Sequence, residues 1–344
     1  MGIISEKLQF GKLEKGPRDL ITDVTGLRVG HFTVSAGDIQ TGVTVLMPGL
    51  DSAFRNKYPA AVDVINGFGK STGLLQIEET GSLESPIMFT NTFSIPAVQQ
   101  ALLGYMLRTN PESGSSESTV NTVVTECNDG YLNDIKKMII RPQDAIRAMA
   151  NAKAEFAEGA VGAGRGMKCF GLKGGIGSAS RVFEIYGKRY TLGAFVLANF
   201  GSPGELTVAG RRVSASEEAD GPDKGSCITV IATDMPLSSH QLKRCARRAQ
   251  NGLARTGSYT GEGSGDITIM FSTANRIPHK DPGRITRVEY ISDRCLDTVF
   301  EAVRDTVEES VISCLLHAES VTGRDGRTLK SLKDIDEYYK DILF

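Results

Sequence analysis

The chain has 344 residues, 40% hydrophobic and 23% charged, which is the balance of an ordinary globular protein and not of a disordered one. Lys plus Arg number 39 against 41 for Asp plus Glu, a formal charge of -2 that argues against a dedicated nucleic-acid binder. The longest apolar stretches, such as Leu192 to Ala198, fall far short of the ~20 residues needed to cross a bilayer, so no membrane association is expected.

Taken in chain order, Leu20 to Val34 and Thr41 to Pro48 alternate β-branched with small polar residues and predict short strands. Ala60 to Gly69 predicts a strand that breaks into glycine, Ile77 to Gly81 a helix-to-turn passage, and Ser85 to Ser94 another strand. Ser94 to Thr109 predicts a helix with Ser94 as N-cap and Ala97, Leu102, Tyr105 and Met106 among its packing positions. Asn110 to Ser118 reads as a polar loop and Thr119 to Glu126 as a strand ending in a turn. Arg141 to Lys153 reads as a helix with Pro142 in its first turn.

Residues 158–180 are glycine-rich, and the two strands that follow, up to Gly201, form a predicted hairpin around Gly187-Lys188. A long polar stretch from Ser202 to Gly225 ends abruptly in the apolar strand Ser226 to Asp234. A helix from Pro236 to Ser258, capped by Ser238 or Ser239, leads to a strand from Asp266 to Asn275. A long helix from Asp293 to Ser320 carries apolar residues at helical spacing. The whole predicts a single α+β domain of layered sheets and helices.

Glycine is the compositional outlier, 38 of 344 residues, so tight turns and close backbone approaches are expected. The six cysteines are scattered with no CxxC pair, which favours reduced thiols. The opening residues carry charges where a secretory signal would be apolar. A cytoplasmic protein is therefore expected.

Several motifs fail. Gly67 to Thr72 ends like a phosphate loop, but the required first glycine would fall at Val64. Gly162, Gly164 and Gly166 approach a dinucleotide fingerprint, but the run passes into Met167-Lys168 without the last glycine. His31, His240, His279 and His317 show no metal-ligand spacing, and no G-x-S-x-G elbow occurs. Any nucleophile must be activated by something other than an obvious histidine, and no metal or organic cofactor is implied.

One signal survives. The chain holds seven Gly-Ser dipeptides, and Ser226 differs from the other serines in position, where a long polar segment meets a buried strand. A hydroxyl there is held by the sheet, while Gly225 lacks a Cβ, so its carbonyl is open to close approach and its backbone to unusual angles. Those are the needs of an N-to-O acyl shift that would cut the chain after Gly225. On the residues alone, a plain strand-start serine stands beside that reading.

Lys224 to Ala249, Thr256 to Asn275, Val196 to Gly201 and Val124 to Asp134 together resemble the self-processing serine aminopeptidases, the L-aminopeptidase/D-alanyl esterase-amidases (DmpA-like) and β-aminopeptidases. The likeness runs from Leu20 through the last long helix, with four motifs in the right order. It implies an αββα sandwich of the N-terminal-nucleophile type, shared with the ornithine acetyltransferases, and autocleavage into residues 1–225 and 226–344.

Within the resemblance Ser226 matches the nucleophile, Asn199 an oxyanion-hole amide, and Ser264 with Asp266 a hydroxyl–acid pair beside the nucleophile. Glu126 matches the anchor for the substrate's free amine and Tyr131 a residue of the pocket wall. Each also has a plainer reading: Asn199 as a strand-end residue, Ser264 and Asp266 as turn residues, Glu126 as partner of an arginine or cap of a turn, Tyr131 as packing. The substrates implied are short peptides, amides or esters with a free amine, and the assembly implied is an oligomer of paired fragments, four of each, (αβ)4. Asp266 departs from the pattern, because β-aminopeptidases often carry Glu there; Met235 and the Asn110–Ser118 loop are further places where specificity could differ. Rival functions are an acyltransferase of the ornithine acetyltransferase type, which would be expected to use Thr where Ser226 stands, and an uncut, non-catalytic binding protein.

Overall fold

The computed structural model describes residues 8–213 and 225–334. Its first half contains β1 (Arg28–Ala36), β2 (Ile39–Met47), β3 (Asn56–Gly67), β4 (Ile87–Asn91), α1 (Ile95–Thr109), β5 (Val123–Cys127) and α2 (Pro142–Ala150). The second half contains β6 (Gly175–Ile185), β7 (Lys188–Asn199), β8 (Ser226–Thr233), α3 (Ser239–Ala246), α4 (Ala249–Arg255), β9 (Gly265–Ser272) and α5 (Leu296–His317).

Two sheets stack. The smaller runs β1-β2-β4-β5; the larger has eight strands, with the central run β6-β7-β8-β9-β3 and short strands at its margins. β6, β7 and β8 pair antiparallel, β8 and β9 parallel, and β9 and β3 antiparallel. β8 and β9 are buried along their whole length because both faces are covered. In β7, Leu192, Ala194, Val196 and Ala198 face the helical layer formed by α3, α4 and α5, whereas Phe195 and Leu197 face the smaller sheet. α1 and α2 cover the far side of the smaller sheet over Val43, Val45, Met88 and Val124. The layers are helix, sheet, sheet, helix, as the resemblance implied.

The local readings hold with corrections. Pro142 opens α2, where its missing N–H costs nothing. Ser94 occupies the N-terminal position of α1, but its side chain makes no capping bond; Asn91 Oδ1 accepts from the N–H groups of Phe93 and Ser94 instead. The hairpin turns on Tyr186 and Gly187, both at positive φ (52° and 74°), one residue earlier than expected. Residues 236–258 form two helices, broken at Arg247–Arg248, with Ser238 capping the first through the Gln241 N–H. The last helix begins at Leu296, after a 3-10 turn at Asp293–Cys295. Met235 lies in the helix-side core, past the end of β8 opposite to Ser226, and the Asn110–Ser118 loop is tied by ion pairs of Glu112 with Arg55 and Glu117 with Lys280.

Candidate active site

Four strand ends of the larger sheet meet side by side. β7 ends at Asn199, β8 begins at Ser226, β9 begins at Gly265 and β3 ends at Gly67. Asn199 pairs with Ser226, Ser226 with Gly265 and Gly265 with Gly67. Parallel pairing of β8 with β9 is what brings two strand starts together. From the smaller sheet β5 ends against the same place, where the Cys127 thiol donates to the Ser226 carbonyl at 3.4 Å and the Leu197 carbonyl at 3.5 Å.

Ser226 is buried, and its Oγ accepts a hydrogen bond from the Gly265 N–H at 3.2 Å. The same N–H lies 3.3 Å from the Gly225 carbonyl oxygen. One donor thus faces both the Ser226 hydroxyl and the carbonyl of the residue before it. Gly225 packs so closely on β7 that a Cβ would lie 2.1 Å from the Asn199 carbonyl oxygen and 2.4 Å from Phe200 Cα.

Ser264 and Asp266 are both buried, and Ser264 Oγ donates to Asp266 Oδ1 at 2.9 Å. Asp266 is the second residue of β9 and not a turn residue. A bulge supports the pair: Asp266 pairs with Asn66 but Ile267 with Val64, leaving Ile65 as the extra residue on β3. The Asn66 amide then donates to the carbonyls of Gly261, Glu262 and Ser264 and clamps the turn that carries Ser264.

Glu126 is buried near the end of β5. Its Oε1 accepts from the Lys70 N–H at 2.9 Å and its Oε2 from the Thr92 hydroxyl, so no arginine holds it. It borders the strand ends, because a Cβ on Gly69 would lie 3.7 Å from Glu126 Oε1 and 3.9 Å from Gly265 Cα. Asn199 Oδ1 accepts from the Lys168 N–H at 2.9 Å. Tyr131 is 40% exposed, with Lys168 Nζ 4.8 Å from its ring centroid, which places it at the surface beside the Asn199 support and outside the core.

The Gly265 N–H, Cys127, Asn66, Thr92 and the Lys70 N–H carry no sequence signal, since each acts through tertiary pairing. Burial pushes the Cys127 thiol well above its usual range, so it stays protonated behind Ser226. The histidines are engaged elsewhere: His31 bonds Thr44 and is held neutral by burial, which lowers it to about 4. His279 stacks on Phe54, His317 sits beside Ser313, and His240 is exposed on α3. Among the described residues no cluster of His, Cys, Asp or Glu could hold a metal ion, and no helix is long and apolar enough to cross a membrane.

Comparison with known proteins matches residues 19–329 to the model of peptidase family S58. The chain is 37% identical to the β-peptidyl aminopeptidase BapA of Sphingosinicella microcystinivorans, over 92% of this chain and 86% of that one. Among solved structures, the PH0078 protein of Pyrococcus horikoshii OT3 superposes with a TM-score of 0.92 at 42% identity, covering 98% of this chain and 96% of that one. The L-aminopeptidase D-Ala-esterase/amidase of Ochrobactrum anthropi, a prototype serine aminopeptidase with a variant of the Ntn hydrolase fold, superposes with a TM-score of 0.88 at 36% identity, covering the same shares. A buried serine that opens a central strand of this fold, with family likeness across nearly the whole chain, identifies the protein as a member of peptidase family S58, the self-processing serine aminopeptidases.

Proposed function

We propose that Ser226 is the nucleophile, freed by cleavage of the Gly225–Ser226 link into fragments of residues 1–225 and 226–344. The observation that carries this is the Gly265 N–H, 3.2 Å from Ser226 Oγ and 3.3 Å from the Gly225 oxygen. Ser226 Oγ adds to the Gly225 carbonyl carbon, the C–N bond breaks with the hydroxyl proton ending on the Ser226 nitrogen, and an ester forms. Water hydrolyses that ester, leaving a Gly225 carboxylate, the Ser226 hydroxyl and a free α-amine. An α-amine has a reference pKa of ~7.7–8.0, so it serves as a base near neutral pH.

In turnover Ser226 attacks a substrate carbonyl, its own amine takes the proton, and the Asn199 amide with backbone N–H groups stabilises the oxyanion. The Ser264–Asp266 pair orients the amine. Glu126 anchors the substrate's free amine: its oxygens hold two donors, and a carboxylate has about four acceptor positions, so an ammonium adds a charge-assisted bond. Tyr131 lies at the rim. The substrates are short peptides, amides or esters with an unblocked α- or β-amine, a class that spans the activities named for BapA and for the Ochrobactrum anthropi enzyme. The active form is an oligomer of fragment pairs, (αβ)4, and six cysteines without a disulfide suit the cytoplasm.

Denaturing mass spectrometry tests this. Wild type should give two species, about 24 and about 13 kDa when 37.0 kDa is divided by length, and Ser226→Ala one uncut, inactive chain. Wild-type protein that stays whole yet digests dipeptides would remove Ser226 from the mechanism.

A further inference from the structure

Lys173 is completely buried and belongs to none of the groups above. Its ammonium donates to the carbonyls of Gly164, Met167 and Gly174 at 2.9, 2.7 and 2.7 Å. Lys173 and Lys168 are paired across the tight ribbon of Lys168–Cys169 and Leu172–Lys173. The Met167 carbonyl and the Lys168 N–H are two ends of one peptide group, which is planar and rigid. That N–H is the one that holds Asn199 Oδ1. The links therefore form a line: ammonium to Met167 oxygen, Lys168 N–H to Asn199 Oδ1, and the Asn199 amide nitrogen at its far end.

We propose that Lys173 is a positioning residue for the reaction, its ammonium fixing and polarising the Met167–Lys168 peptide so that Asn199 presents its amide hydrogens to the oxyanion. This rests on the reading of Asn199 as an oxyanion donor. Hydrogen bonds in a chain polarise one another, more so at low dielectric. With Oδ1 committed to Lys168, a flip of the amide would break that hydrogen bond and set its NH2 against the Lys168 N–H. Three carbonyl acceptors take all three hydrogens of an ammonium, which favours the charged form against the burial that pushes Lys173 down to about 7.

The test is a double-mutant cycle on processed enzyme, with kcat expressed per cut chain. Lys173→Met is expected to lower kcat about tenfold with KM within about twofold, and to cost nothing further in an Asn199→Ala background. An equal loss in both backgrounds, or no loss in the first, overturns the role of Lys173. Asn199→Ala that leaves kcat unchanged instead sinks the reading of Asn199, a separate result. If the methionine variant does not fold, Lys173→Arg and Lys173→Gln decide: kcat higher with the charged arginine supports the relay, and equal values overturn it.

Discussion

Gly225 shows how a single residue is fixed by its neighbour. What demands glycine here is the close approach of its backbone to the neighbouring strand. The demand comes from β7, whose Asn199 oxygen and Phe200 Cα leave no room for a Cβ. Gly225→Ala must therefore move the link away from β7 and from the Gly265 N–H. Self-cleavage should slow by at least about tenfold, the effect of ~1.4 kcal/mol on a barrier, followed as the intact fraction against time. An unchanged rate would show that the link tolerates displacement. That a buried strand starts at Ser226 was legible in the sequence, because the change from a polar stretch to an apolar run falls there. The Gly265 N–H was not, since a backbone donor has no residue type to read and is aimed here by parallel pairing.

At the scale of elements, the sequence gives the strands and helices of the layers through their periodicity but misses what sets their ends. The extra Ile65 on β3 and the break of the helix at Arg247–Arg248 depend on packing partners distant in the chain. The contact between α5 and β6 contains another feature without a sequence signal. Glu158 Oε1 accepts from the Ser178 N–H and the Ser313 hydroxyl, both at 2.7 Å, while Oε2 lies 3.5 Å from His317 Nδ1. Burial pushes its carboxyl up to about 8. A folded value above the unfolded one means that this group's stabilisation is full below about 4.5 and is lost as pH rises through about 8. Glu158→Gln reproduces the neutral form and should be free of that loss. Its Tm relative to wild type should climb by about 2 °C or more between pH 4.5 and 8; a constant difference would mean that folding does not raise the affinity of the carboxyl for its proton.

Over the whole molecule, the layer order and the path of the chain through it follow from alternating apolar strands and one-sided helices, and the α+β reading reached that far. The order of strands in the larger sheet did not follow, because nothing local says that β8 and β9 lie between β7 and β3. That order means the proposed fragments share one sheet: β8 and β9, from residues 226–344, are bordered on both sides by β7 and β3, from residues 1–225. The uncut chain can assemble this sheet by itself. After the cut, assembly needs two molecules to meet. Refolding from denaturant should then fall in yield on dilution for processed enzyme and stay constant for Ser226→Ala, read by the recovery of native near-ultraviolet circular dichroism; equal behaviour would argue against interleaved fragments. The central placement of β8 and β9 thus gives the mature enzyme a memory of its birth as one molecule. With the proposed cut, its working life would be governed by how slowly it comes apart, because a pair that separates in dilute solution has no ready way back.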